Sequence, residues 1–165
     1  MNMLRYLPLF LSIALLGGGC SIIGTNQSSS VAPATRQQPA AVGPELDLSG
    51  RGLTAIPSYV FSRTDLERLD LSDNRLTGAP QAEIRHLQRL TFLDLSGNDL
   101  TGLPAELGQL KQLEILDVSN NRLTGLPLEL GNLTQLRIFD ISGNLYSKLD
   151  LDQISVKLST TEIRR

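Results

Sequence analysis

The chain offers little for covalent chemistry, with one histidine, His86, and one cysteine, Cys20. A nucleophilic serine or cysteine needs a base within hydrogen-bond reach, and a protein zinc site is built mostly from several His or Cys side chains. Neither requirement is met. No catalytic residue, metal ligand or cofactor is therefore assigned, the protein is read as a non-enzyme, and His86 is placed in a surface loop. What recurs is carboxylate. Asp47, Asp70, Asp94, Asp117 and Asp140 return at intervals of 23 or 24 residues, each followed two places later by a serine: Ser49, Ser72, Ser96, Ser119 and Ser142. Calcium takes about six to eight oxygens around one ion, and a straight row offers about two per gap. The row is read as a recognition surface.

The elements that position it follow from the interval. Leu113-Glu114-Ile115-Leu116-Asp117-Val118-Ser119-Asn120-Asn121-Arg122-Leu123 is echoed from Leu90, Leu66 and Leu136, and in a worn form from Gly43. A fixed period of this size marks a solenoid of stacked units, none of which can bury its apolar face alone. Strand alternation sends Leu69 and Leu71, Leu93 and Leu95, Leu116 and Val118, Phe139 and Ile141 to one side. The intervening residues go to the other. Asn74, Asn98, Asn121 and Asn144 recur where the chain leaves each strand. Gly78, Gly102 and Gly125 are expected to permit the turn that follows, and Pro57, Pro80, Pro104 and Pro127 to punctuate the return path.

The consensus LxxLxLSxNxLTGLPxxLGxLxx resembles the leucine-rich repeat, closest to the 23-residue Ras-suppressor-like class found in many bacterial proteins. That resemblance implies an α/β solenoid, a short curved horseshoe with a parallel sheet on its concave face and short helical or irregular convex returns. It also implies that the four asparagines form a structural ladder, turned inward onto loop backbone. Five repeats are placed over residues 43–146. In the first, Arg51 stands for the ladder Asn and Arg63 for Leu110 and Leu133, as suits a terminal cap.

On the concave side two columns matter. The aspartates form one. Glu45, Arg68, Phe92, Ile115 and Ile138 form the other, which places three apolar side chains on a face that should be wet. The expected partner-binding residues are accordingly Arg68, Asp70, Phe92, Asp94, Ile115, Asp117, Ile138 and Asp140. An apolar strip beside carboxylates fits a protein partner with a basic rim. The alternatives are that the chain's own tether covers the strip, or that the face takes cell-wall glycan or serves a structural role.

At the N-terminus, Arg5, an apolar run from Tyr6 to Leu16 and Gly17-Gly18-Gly19-Cys20 read as a secretory signal over residues 1–19. The run is too short to span a bilayer. Its end resembles a bacterial lipobox, although Gly17 stands where that motif prefers Leu. The resemblance implies cleavage before Cys20 and lipidation of that residue with palmitate-type acyl chains. The alternatives are an ordinary signal with an incidental cysteine, or a hydrophobic N-terminal anchor. Residues 20–42, rich in Ser, Gln, Ala and Pro, read as a flexible tether with a reach of roughly 25 Å.

Residues 147–165 break the period. Leu151, Ile154 and Leu158 are spaced for a helix with Asp150 as its N-cap, and Ser159 to Arg164 is expected to return as a short strand. This resembles the helix–strand caps that close bacterial repeat proteins, here covering the open sheet edge. A net charge of −2 gives no reason to expect nucleic acid. The sequence thus implies a lipid-anchored, monomeric, protein-binding module of the bacterial envelope, on the outer membrane if the host has one.

Overall fold

The computed structural model describes residues 44–165, so the signal segment, Cys20 and the tether lie outside the described residues. Eight short strands and one α-helix follow in order: β1 (Glu45–Asp47), β2 (Arg68–Asp70), β3 (Thr77–Gly78), β4 (Phe92–Asp94), β5 (Asp99–Leu100), β6 (Ile115–Asp117), β7 (Ile138–Asp140), α1 (Lys148–Lys157) and β8 (Glu162–Arg164). β1, β2, β4, β6, β7 and β8 form one parallel sheet in that order, while β3 and β5 make a small second ladder. Four 3-10 turns carry the return path at Ser58–Ser62, Ala82–His86, Ala105–Gln109 and Leu128–Asn132. The architecture is the parallel-sheet solenoid the period implies.

The core is the inward half of each strand stacked against the next. Leu69, Leu71, Leu93, Leu95, Leu116, Val118, Phe139 and Ile141 are wholly buried. Each buried aliphatic side chain contributes about 1.5–3 kcal/mol. The gain exists only because the neighbouring repeat covers what one strand leaves open.

The asparagine ladder is complete. Asn98 Oδ1 accepts from Leu76 N at 3.0 Å, and its Nδ2 donates to Leu71 O and Leu95 O, both at 3.0 Å. Asn121 repeats this with Leu100 N, Leu95 O and Val118 O. Asn74 serves the first repeat through Arg51 N, Leu53 N and Leu48 O, and Asn144 serves the fourth through Leu123 N and Val118 O. Asn74, Asn98 and Asn121 are 6–7% exposed, whereas Asn144 at the end is only half-buried. Arg51, where an asparagine is missing, donates its own Nη2 to Asp47 O.

Three local expectations are corrected. Of Gly78, Gly102 and Gly125, only Gly78 has a positive φ. The left-handed residue that every repeat uses comes earlier, just after the serine: Gly50, Asp73, Gly97, Asn120 and Gly143, at φ of 53–69°. Glycine or a short Asx side chain tolerates that conformation, which is why nothing larger appears there. Second, the N-cap of α1 is Ser147, whose Oγ accepts from Asp150 N at 3.3 Å. Asp150 instead turns its Oδ2 back to accept from Leu126 N at 3.2 Å, tying the helix to the fourth repeat. Third, β8 covers the edge of β7 but becomes the new edge itself.

Candidate functional site

Parallel pairing fixes which side chains share a column. Glu45, Arg68, Phe92, Ile115 and Ile138 lie side by side in register, as do Asp47, Asp70, Asp94, Asp117 and Asp140. All eight expected partner-binding residues therefore sit on one sheet face. The sequence reading missed what extends it. β8 adds Glu162 beside Ile138 and Arg164 beside Asp140, so the acidic column ends in a cation. No periodic signal announced these two, because the cap helix interrupts the period before β8.

Each aspartate is held by the serine two residues on. Asp70 Oδ1 accepts from Ser72 N at 2.9 Å and Ser72 Oγ at 2.6 Å, and the same pair of bonds recurs at Asp47, Asp94 and Asp140. Asp117 keeps only the Ser119 N bond, at 2.9 Å. One oxygen of each carboxylate is thus fixed. The other, Oδ2, has no hydrogen bond among the described residues and is free for a donor.

The same motif is shifted in opposite directions at Asp47 and Asp94. The Ser49 hydroxyl and backbone N–H hold the exposed Asp47 carboxyl below its ordinary value, helped by Arg51. At Asp94 burial pushes the carboxyl up, against the Ser96 bonds, and the charges of Asp117 and Asp70 push the same way. Between these two, Asp94 has less water and two like-charged neighbours, while Asp47 is exposed and has Arg51 beside it. At the far end Glu162 holds the Arg164 guanidinium above its ordinary value, with Asp140 and Asp117 contributing.

The apolar strip is narrower than the sequence implies. Phe92, Ile115 and Ile138 are half-buried, and the Arg68 guanidinium lies 3.9 Å from the centroid of the Phe92 ring. Arg68 also approaches Glu45 at 3.8 Å. A shallow pocket of about 160 Å³ opens there, lined by Glu45, Asp47, Arg68, Asp70 and Phe92. Ile115 and Ile138 are the uncovered apolar pair. His86 ends the 3-10 turn Ala82–His86, on the return path rather than on this face, and is exposed. Among the described residues no three His, Cys, Asp or Glu side chains are grouped to hold a metal ion.

Two family descriptions match the chain, "Leucine rich repeat" over residues 45–100 and "Leucine Rich repeats (2 copies)" over residues 111–153. Among solved structures, an LRR protein of Leptospira interrogans is similar with a TM-score of 0.64 at 38% identity, over 68% of this chain and 28% of that one. A chain of the BIR3–SERK2 complex from Arabidopsis thaliana is similar with a TM-score of 0.57 at 38% identity, over 62% of this chain and 56% of that one. Receptor-like protein 53 of Arabidopsis thaliana is 39% identical over 98 residues, which is 59% of this chain and 10% of its own length. The matches to the first curated relatives span between 7% and 11% of those proteins' lengths.

Proposed function

We propose that this chain, which belongs to the leucine-rich repeat proteins by sequence and by fold, is a protein-binding module of the bacterial envelope, anchored through lipid on Cys20. It takes its partner on the face formed by β1, β2, β4, β6, β7 and β8. The observation that carries the reading is the pairing of two columns: uncovered Ile115 and Ile138 beside carboxylates whose Oδ2 atoms have no partner among the described residues. Apolar groups supply affinity by desolvation, while fixed charge selects a complementary partner and speeds encounter. The partner is a protein with a basic rim around an exposed apolar group. The BIR3–SERK2 structure supports the reading, because there a chain of similar fold stands in a complex with another protein.

A glycan-binding envelope component is the second reading. Sugar rings favour open aromatic faces, and Phe92, the aromatic of this face, is overlaid by Arg68. That contact favours a protein ligand. The test is Ile115→Lys, with pull-down from envelope extract run beside binding to purified cell wall. The side chain of Ile115 points away from the Leu116 core, so the variant is expected to keep its circular dichroism and lose the protein captured by wild type. Unaltered capture by a folded variant would move the site off this face. Retention on cell wall without any protein captured would favour the glycan reading.

A further inference from the structure

The outer edge of β8 is complementary to itself. β8 pairs with β7 alone, with Ile138 opposite Glu162, Phe139 opposite Ile163 and Asp140 opposite Arg164. On that side Glu162 N donates to Arg137 O at 2.8 Å, and Arg164 O accepts from Ile141 N at 3.0 Å. Backbone groups alternate sides along a strand, so the N–H and C=O of Ile163 point outward. A second β8 laid antiparallel across a two-fold axis would set Ile163 opposite its own copy, exchanging both bonds. Glu162 would then face Arg164 of the second copy, twice. Within one chain these two side chains already pair at 2.7 Å, and the dimer joins both pairs into one network.

The other edge pairings lack this match. β1 against its own copy in the same arrangement sets Glu45 against Asp47, a like-charge clash made twice. β1 against β8 gives one attractive and one repulsive pair whether the strands run parallel or antiparallel. Only β8 with β8 satisfies every charge.

Three residues of strand pairing are too few for a stable interface, and the same terminal layer supplies more. α1 packs on the last 3-10 turn and precedes β8. Leu145, Leu149 and Val156 are 84%, 66% and 80% exposed, three of the four large apolar side chains left open among the described residues. Leu149 and Val156 are seven residues apart and so share the side of α1 opposite Leu151, Ile154 and Leu158.

We propose that the chain forms a two-fold symmetric dimer through the outer edge of β8, with the exposed side of the cap layer packed beside it. This replaces the monomer expected from sequence. It joins two six-stranded sheets end to end and places two recognition faces in one particle. The inference does not depend on what those faces bind.

The test uses the full chain in detergent and sedimentation velocity at micromolar concentration. Wild type is expected to sediment as a dimer. Glu162→Arg and Arg164→Glu each turn both cross-strand pairs repulsive, and are expected to raise the dissociation constant by about tenfold or more. The double exchange, Glu162→Arg with Arg164→Glu, restores opposite charges and with them the dimer. An equimolar mixture of the two single variants gives a heterodimer that neither forms alone. A monomeric wild type would overturn the proposal. So would single variants that keep the wild-type mass, or a folded double exchange and a mixture that both stay monomeric.

Discussion

The first aspartate of the column and a central one should respond oppositely to one substitution. Asp94→Asn keeps the Oδ1 that accepts from Ser96 N and Oγ, so the local turn survives while the charge goes. Its neighbours in register are Asp70 and Asp117. Strands lie about 4.8 Å apart, and unit charges at that distance in water repel by about 0.9 kcal/mol each. A screening length of about 8 Å at physiological salt roughly halves this, leaving about 1 kcal/mol for both neighbours. Asp94→Asn should therefore raise the melting temperature at neutral pH by about 4 °C.

The pH dependence provides the check. Burial and the neighbouring charges raise the Asp94 carboxyl, so the folded state holds its proton more tightly than the unfolded state does. Stability at this rung falls as pH rises from the ordinary carboxylate value through the raised one, and the advantage of Asp94→Asn disappears below both. At Asp47 the carboxyl is lowered by Ser49, so its contribution is present above the ordinary value and is lost as pH falls through the lowered one. Asp47→Asn should lower the melting temperature at neutral pH. Calorimetry of both variants against wild type across the acid range decides the matter. Equal shifts of the same sign at neutral pH would refute the idea that burial and neighbouring charge separate Asp94 from Asp47.

Three further outcomes are expected. Asn98→Ala strands Leu76 N, Leu71 O and Leu95 O, and should cost about 3 kcal/mol in denaturant titration, against about 1 kcal/mol for Asn144→Ala, where the side chain removed is itself only half-buried and water can take its place. Gly108→Ala drives a methyl group into the Glu129 carbonyl of the next 3-10 turn and should destabilise by about 2 kcal/mol, while Gly102→Ala, with open space around it, should not. Cys20→Ser should leave the chain unprocessed or release it from the membrane fraction, and mass spectrometry of the wild-type N-terminus should show the acyl groups. An unmodified mature cysteine would remove the anchor from the proposal.

Much of the fold is legible because each repeat states the same rule again. Leu69, Leu93, Leu116 and Phe139 can be aligned without any knowledge of structure, and strand alternation then places Phe92, Ile115 and Ile138 on the opposite face. What could not be read depends on relations between units rather than on their wording. Arg68 and Phe92 are 24 residues apart, and their stacking is a choice of rotamer. The raised carboxyl of Asp94 and the lowered one of Asp47 come from identical local sequence, so only burial and neighbours separate them. Glu162 and Arg164 reach the face through a helix that has left the period. Ser147 and Asp150 are both good caps by residue type, and only the fold shows that Ser147 caps while Asp150 accepts from Leu126 N.

The direction of the asparagine ladder has a consequence for how the chain is made. Every rung reaches backwards: Asn98 closes the loop that contains Leu76, Asn121 the loop that contains Leu100, and Asn144 the loop that contains Leu123. A repeat leaving the ribosome is therefore unfinished until the next one follows and supplies the missing amide. Synthesis and completion run in the same order, N-terminal unit first. Residues 145–165 hold no asparagine that could close the fifth repeat in the same way. The cap meets that repeat at its strand instead, with Thr161 Oγ1 donating to Leu136 O at 2.7 Å and Ile141 N to Arg164 O at 3.0 Å. A chain released before β8 would carry four repeats closed by asparagine and a fifth whose strand edge is still open.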